Sequence, residues 1–156
     1  SREFYPPAIR RWKHNLDHMV VVHPPNARET LWAVEQALRC RGVGVVVAWL
    51  DAIDAHAFRR LQLAAESGGG VGLLLRPTAY RAEPSWSAVR LFVGEISTPA
   101  TSEHPGCWRS RRLRIEPVHC RGRLAAESVE LEIDDATGDV RLVSRLAATP
   151  AGRVTS

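Results

Sequence analysis

Two short apolar runs in the middle of the chain give the clearest structural signal in the sequence. The first covers Val43–Leu50 and the second Val71–Leu75, and neither alternates between polar and apolar positions. Short runs of β-branched or leucine residues without alternation are typical of strands that are covered on both faces. The pattern therefore predicts two buried strands in this part of the chain.

The segment between the two runs has the spacing of an amphipathic helix. Its apolar stripe consists of Phe58, Leu61 and Ala65. Asp54 precedes it as a predicted N-cap, because its carboxylate can accept a hydrogen bond from a first-turn N–H group. The glycines Gly68–Gly70 predict its end, since glycine reaches the left-handed conformation without strain. Two strands joined by a helix are predicted to be parallel, with a right-handed crossover.

A similar pattern precedes this unit. Met19–His23 is a short apolar run closed by prolines and is predicted to form another strand. Asn26 and Glu29 have the spacing of a capping box, which predicts the start of a helix that ends near Cys40. Residues 19–75 therefore predict a β-α-β-α-β order, the pattern of a doubly wound parallel α/β sheet.

The pattern changes after Pro77. Ala88–Ile96 is a predicted strand, and polar and apolar residues alternate in Arg112–Glu116 and in Val129–Ile133. The stretch Asp134–Asp139 is a predicted tight turn into a last strand. Alternation with a period of two indicates one buried and one solvated face, so these strands predict an antiparallel extension of the parallel sheet.

The composition is that of an ordinary globular domain, with 45% hydrophobic and 24% charged residues among 156. A chain of this length is expected to form a single domain. No apolar run reaches the ~20 residues of a membrane span, and no signal peptide opens the chain. We therefore expect a soluble, cytoplasmic protein without a membrane partner.

The positive charge is carried almost entirely by arginine. All but one of the 21 cationic side chains are Arg, the exception being Lys13, and the net charge is +4. Arginine forms planar, bidentate contacts with carboxylates and phosphates. The charge permits nucleic acid or an acidic partner but demands neither, because scattered arginines on solvated faces explain it equally well.

Three cysteines are present, Cys40, Cys107 and Cys120, without a C-x-x-C pair. That spacing predicts neither a disulfide framework nor a zinc site. His104 and Cys107 could be grouped with His119 and Cys120, but the first pair lies in a Pro/Gly loop. The second pair is adjacent on a strand and points to opposite faces. We expect reduced thiols and no metal.

The loop after the second buried run carries the candidate contact residues. They are Arg76, Tyr80, Arg81 and Trp86. Aromatic rings beside arginines can stack on bases and bind phosphates, so these residues are candidates for contact with single-stranded DNA or with a protein partner. The alternative interpretation is a turn anchored by its aromatic residues.

Three stretches carry a resemblance to a known family: FYPPA, LWAVEQAL and FRRLQLAAESGG. Over about residues 4–146 the chain resembles the ImuA/SulA-like branch of the RecA superfamily. The resemblance implies a single RecA-like domain over residues 1–146, with a parallel sheet flanked by helices, to which the strand pattern adds the antiparallel extension. Residues 147–156 are predicted from the sequence to be a flexible tail. The resemblance also implies an accessory role in SOS-induced translesion DNA synthesis. The implied partners are an ImuB-like Y-family protein, an error-prone polymerase subunit and RecA, whereas contact with single-stranded DNA is suggested only by the loop residues named above.

The chain departs from the family pattern where nucleotide chemistry would lie. It has no GK[ST] phosphate loop, and Lys13 lies in RWKH without preceding glycines. Ala48 and Trp49 stand where a magnesium-binding acid is expected, and Asp51 and Asp54 are better explained as turn and cap residues. We therefore predict a protein with no catalytic residues and no cofactor.

Two explanations fit the absence of a phosphate loop: the chain starts downstream of it, or the lineage has lost nucleotide chemistry. Two other functions stay open at this point. One is a SulA-like inhibitor of cell division that binds a tubulin-like protein. The other is an ATPase whose phosphate loop lies outside this chain.

Overall fold

The structure is a computed structural model, and it describes residues 16–83, 85–96, 110–122, 127–134 and 137–146. The chain divides into two compact units. One unit is Val20–Ser87, and the other contains the described residues outside that range. None of the described helices is long and apolar enough to cross a membrane.

Helix α1 spans Ala27–Arg39 and begins at the predicted cap. Oδ1 of Asn26 accepts a hydrogen bond from the N–H of Glu29 at 3.0 Å, and Nδ2 of Asn26 donates to Oε1 of Glu29 at 3.3 Å. The predicted pair is therefore confirmed, but Glu29 bonds the side chain of Asn26 and not its backbone N–H as in a standard capping box. The helix ends at Cys40, where the sequence predicts.

The predicted β-α-β unit is confirmed. Strand β1 (Val45–Trp49) is followed by helix α2 (Ala55–Gly68) and strand β2 (Val71–Leu75), and the two strands are parallel. Oδ1 of Asp54 accepts from the N–H of Ala57 at 2.7 Å, so Asp54 is the N-cap. Gly69 closes the helix with a left-handed φ of 78°, as the glycine run predicts.

The core of this unit lies where the two helices meet one face of the β1–β2 sheet. Its buried apolar residues are Val34, Leu38, Ala48, Leu50, Leu61 and Ala64. Phe58 is buried as well, at 7% exposure. The stripe predicted for α2 is therefore confirmed at Phe58 and Leu61, whereas the fully buried alanine is Ala64 and the predicted Ala65 is only partly buried.

The opposite face of the β1–β2 sheet is apolar and exposed. Parallel register pairs Val45 with Val71, Val47 with Leu73, and Trp49 with Leu75. These six side chains, the apolar ladder, are 43–57% exposed. The prediction that both strands are covered on both faces is therefore wrong, because in the described structure α1 and α2 pack on one face only.

Met19–His23 forms no strand in the structure, so that prediction is also wrong. The segment follows a 3-10 turn over Leu16–His18 and has no regular structure. Val20 is 89% exposed and Val22 is 62% exposed. A run of only a few apolar residues does not specify a pairing partner, so its composition cannot distinguish a strand from an extended connection.

Each strand predicted downstream of Pro77 is present. Strands β3 (Val89–Ile96), β4 (Ser110–Cys120), β5 (Ser128–Asp134) and β6 (Val140–Leu146) pair antiparallel in chain order. The turn before β6 contains Gly138 at a φ of 76°, and its N–H donates to the carbonyl of Asp134 at 2.7 Å.

These four strands form their own sheet and do not extend the parallel one. The predicted fold class, a RecA-like parallel sheet flanked by helices with an antiparallel extension, is therefore wrong. Among the described residues β2 pairs only with β1 and β3 only with β4. Between them, Pro77 and a 3-10 turn over Thr78–Tyr80 interrupt the extended chain. Alternation shows that one face of a strand is solvated, but it does not show which sheet the strand joins.

Some predictions lie outside the described residues. They concern Lys13, the loop Ser97–Gly106 with His104 and Cys107, and the tail over residues 147–156.

Candidate functional site

Arg76 lies directly after β2 and is bonded within the predicted contact loop. Its Nε and Nη2 both donate to the backbone carbonyl of Asp51, each at 3.1 Å. Nη2 also donates to Oε2 of Glu83 at 2.7 Å. The side chain is only 13% exposed. Arg76 therefore joins the ends of both parallel strands to the loop, and Glu83 balances its charge.

Tyr80 packs against the same guanidinium group. The carbon Cζ of Arg76 lies 4.7 Å from the centre of the Tyr80 ring, which is within cation–π range. The 3-10 turn at Thr78–Tyr80 positions the ring, and the N–H of Arg81 donates to the carbonyl of Thr78 at 3.0 Å. The structure thus brings together Arg76 and Tyr80, in the manner of a turn anchored by an aromatic residue.

Trp86 has a partner that the sequence did not suggest. Cζ of Arg59, on the first turns of α2, lies 5.4 Å from the centre of the Trp86 ring. Arg59 also donates to Gln62 at 2.8 Å. Trp86 is 45% exposed. No local signal identifies Arg59, because its spacing only places it on the solvated side of the helix.

The surface that the loop exposes is therefore not the full set of four predicted contact residues. Arg81 is exposed on the turn, Trp86 is half-exposed, and Arg59 lies beside Trp86. Chemically, this arrangement offers two arginines and an indole face to an anionic or aromatic ligand, while Arg76 and Tyr80 hold the turn.

The residues that stand where a nucleotide site could be sought all have structural roles instead. Gly69 closes α2, and its N–H donates to the carbonyl of Ala65 at 2.9 Å. The glycine run therefore lies at the negative end of the helix dipole, which repels phosphate. Trp49 ends β1, the carboxylate of Asp54 caps α2, and the carbonyl of Asp51 accepts from Arg76.

A second charged cluster joins the two helices. Glu35 is 5% exposed, and its Oε1 accepts from Nη2 of Arg39 at 2.8 Å while its Oε2 accepts from Nη2 of Arg60. Burial by itself raises the pKa of Glu35, but hydrogen bonds and charge from the two guanidinium groups outweigh it. The pKa of Glu35 is therefore held below its ordinary value.

We expect the stabilisation from Glu35 to disappear in acid. Because its folded-state pKa lies below the ordinary 4.5, its contribution is complete above that pH and is lost as the pH falls through the lowered value. Urea unfolding of the wild type and of Glu35→Gln, compared from neutral pH downward, measures this effect. The difference between the two free energies should shrink below pH 4.5. A difference that stays constant in acid would contradict the expectation.

The described residues contain no group of three or more His, Cys, Asp or Glu side chains placed to hold a metal ion. Cys40 and Cys120 are free thiols, the first exposed and the second partly buried.

The geometry defines a small α/β unit with an arginine-rich loop, together with a separate antiparallel sheet. No protein-family model matches the chain. Protein ImuA of Caulobacter vibrioides (strain NA1000 / CB15N) is 34% identical over 151 residues, which covers 86% of this chain and 62% of that protein. Cell division inhibitor SulA of Edwardsiella piscicida is 43% identical over 51 residues, covering 33% of this chain and 30% of that protein.

Cell division inhibitor SulA of Photorhabdus laumondii is 31% identical over 80 residues, covering 49% of this chain and 45% of that protein. The chain is therefore an ImuA/SulA-like protein, as the resemblance in the sequence implies. It spans less than two thirds of the length of each of these relatives. The similarity to these relatives does not by itself place the chain in the RecA superfamily.

Proposed function

We propose that this chain is a non-catalytic accessory protein of the SOS-associated response to DNA damage, with an ImuA-like role in translesion synthesis. The observation that carries the proposal is the similarity to ImuA, which extends over 86% of the chain. The proposed partners are an ImuB-like Y-family protein and an error-prone polymerase subunit, with RecA as a further one.

The apolar ladder supports an action through protein contacts. Six large apolar side chains in register remain roughly half-exposed on one face of the β1–β2 sheet. Parallel strands are ordinarily covered on both faces, and contiguous apolar surface of this kind is typical of regions that contact other proteins.

A genetic experiment tests the proposal. The gene is deleted in the source bacterium, and mutations to antibiotic resistance are counted after ultraviolet irradiation. An accessory role predicts that damage-induced mutation falls to the level of unirradiated cells and that a plasmid copy restores it. Unchanged induced mutation in the deletion strain would refute the proposal.

A SulA-like inhibitor of cell division is the second candidate. The two SulA similarities, over 51 and 80 residues, favour it. Overproduction of the chain distinguishes the two functions. An inhibitor of division produces filamentous cells without DNA damage, whereas an accessory protein of translesion synthesis leaves cell length unchanged.

We further propose that the chain has no ATPase chemistry of its own. Phosphate binding requires converging backbone N–H groups at a helix start and a cation, whereas the glycine run here ends α2. Calorimetric titration with ATP and magnesium is expected to show no binding tighter than about 100 μM, roughly −5.5 kcal/mol. Tighter binding would reveal a nucleotide site within this chain and would contradict the proposal.

The contact loop leads to a separate proposal about DNA. We propose that Arg81 and Trp86 contact single-stranded DNA or a partner, while Arg76 and Tyr80 hold the turn. If the ligand is DNA, affinity for a labelled oligothymidine falls steeply with salt because counterions are released. Trp86→Ala should then weaken binding by about 1–3 kcal/mol, the contribution of one stacked base.

Trp32→Ala is the matched control, because Trp32 is also exposed but lies outside the loop. Affinity is measured by fluorescence anisotropy of the labelled oligothymidine. The loop would be excluded as a DNA contact if the affinity did not depend on salt, or if both tryptophan variants lost affinity equally. A protein partner would then remain as its ligand.

A further inference from the structure

A cleft of about 320 Å³ lies between α1 and the start of α2. Its apolar lining is Leu31, Trp32, Ala57 and Leu61. The volume is at the lower end of the ~300–1,000 Å³ range of ligand clefts, which suits one or two side chains better than a whole cofactor. This cleft is distinct from the loop that follows β2.

Trp32 gives the cleft an anchor. The residue lines the cleft from helix α1 and is nevertheless 62% exposed. Exposed tryptophan beside a concave apolar surface is typical of the positions that contribute most to protein interfaces, because the indole buries a large area when a partner binds.

The acidic residues of the lining are already bonded within the protein. The carboxylate of Asp54 caps α2 through the N–H of Ala57, and both oxygens of Glu35 accept from arginine. Glu35 is shared by Arg60 and Arg39, so the arginines around the cleft outnumber its two carboxylates by one and give it a net positive charge. Arg28 and Arg60 are the arginines of the lining, with His56 beside them.

Arg28 and Arg60 are placed to bind an anion. Arg28 lies in the first turn of α1, where the helix dipole disfavours a cation, so the stability of the helix does not explain this side chain. Arg60 is 51% exposed and commits Nη2 to Glu35, and a guanidinium group carries further N–H donors.

We propose that this cleft binds a short acidic and apolar peptide segment of a partner protein. One aromatic or aliphatic side chain of the peptide packs between Trp32 and Leu61, and a carboxylate a few residues away pairs with Arg28 and Arg60. A nucleotide fits less well, because a cleft of about 320 Å³ is small for a base, a sugar and phosphates together. The inference is independent of the proposed function, since it rests only on this geometry.

Selection from a displayed library of random short peptides tests the proposal. The library is selected on the immobilised full chain. The selected peptides are then synthesised, and their dissociation constants are measured by fluorescence anisotropy. We expect the selected peptides to combine an aromatic or aliphatic residue with Asp or Glu. Trp32→Ala and Arg28→Glu should each weaken binding by about tenfold or more.

Arg41→Glu is the matched control, because it makes the same charge change beyond the other end of α1 and should alter affinity by less than about twofold. The three substituted residues are exposed, so the variants should fold. Should Trp32→Ala fail to fold, the indole N–H resonance of Trp32 in the wild type must still shift on titration with the peptide.

Several results would overturn the proposal. They are selected peptides without acidic residues, an equal loss of peptide affinity in Arg28→Glu and Arg41→Glu, or an unchanged peptide affinity in Trp32→Ala. Competition by ATP would identify a nucleotide site instead. Self-association of the wild type that both Trp32→Ala and Arg28→Glu abolish would identify a second copy of the chain as the occupant.

Discussion

Replacement of Phe58 by alanine is expected to lower the free energy of unfolding by about 3–5 kcal/mol. Phe58 lies one turn into α2 and is only 7% exposed. Removing a buried aromatic ring loses the favourable free energy of transferring that ring from water to the core. It also leaves a cavity that the surrounding residues fill only in part. Urea unfolding followed by circular dichroism measures the loss.

Leu63→Ala is the control for this substitution. Leu63 lies on the same helix but is 45% exposed, so the same kind of truncation should cost about 1 kcal/mol or less. A cost for Phe58→Ala as small as that of Leu63→Ala would show that the buried face of α2 has been misassigned.

Replacement of Gly68 by alanine is expected to destabilise the protein by about 3 kcal/mol, at the upper end of the range for overpacking. A Cβ atom at Gly68 would overlap the backbone carbonyl oxygen of Leu38 and would lie 3.0 Å from the carbonyl carbon of Arg39. Backbone atoms cannot rotate away as a side chain can. The end of α1 would therefore have to move away from α2.

Gly44→Ala provides the comparison for Gly68. A Cβ at Gly44 would meet nothing within 4 Å, and the residue is not among the glycines with a positive φ. Its replacement should change the unfolding free energy by less than about 0.5 kcal/mol. If both variants were equally stable, the close approach of the two helix ends would be absent in solution.

Local features of the fold could be predicted from the sequence because a few neighbouring residues determine them. Asn26 with Glu29 and Asp54 with Ala57 satisfy the first N–H groups of their helices within one turn. The left-handed Gly69 likewise needs no distant partner. Such features depend only on residues within a few positions of one another and were therefore visible as patterns.

Features that depend on distant partners could not be predicted in the same way. The apolar content of Val47 and Leu73 indicates strands, but it does not tell whether a helix covers the second face. The alternation in Arg112–Glu116 likewise indicates a solvated face without identifying the sheet. A single parallel sheet with an antiparallel extension was predicted from the strand pattern, and its RecA-like architecture from a family resemblance. The structure contradicts that fold, because the strands form two separate sheets.

The candidate site shows the same division. Arg76 and Tyr80 are close in the sequence, and their proximity in space could be expected from a turn. The stacking of Arg59 on Trp86 and the bond between Arg60 and Glu35 join segments that are far apart in the chain. Both arginines lie on the exposed side of α2, and their spacing along the helix does not identify these partners.

The bond from Arg60 to Glu35 has a consequence for the dynamics of the Val20–Ser87 unit. It crosses 25 residues of sequence, and Arg39 attaches the same carboxylate to the last turn of α1. Neither helix can open without breaking the bond between Arg60 and Glu35, which would leave the buried carboxylate with at most Arg39 as a partner. Amide hydrogen exchange should therefore report α1 and α2 as a single cooperative unit, in which both helices acquire deuterium with the same opening free energy.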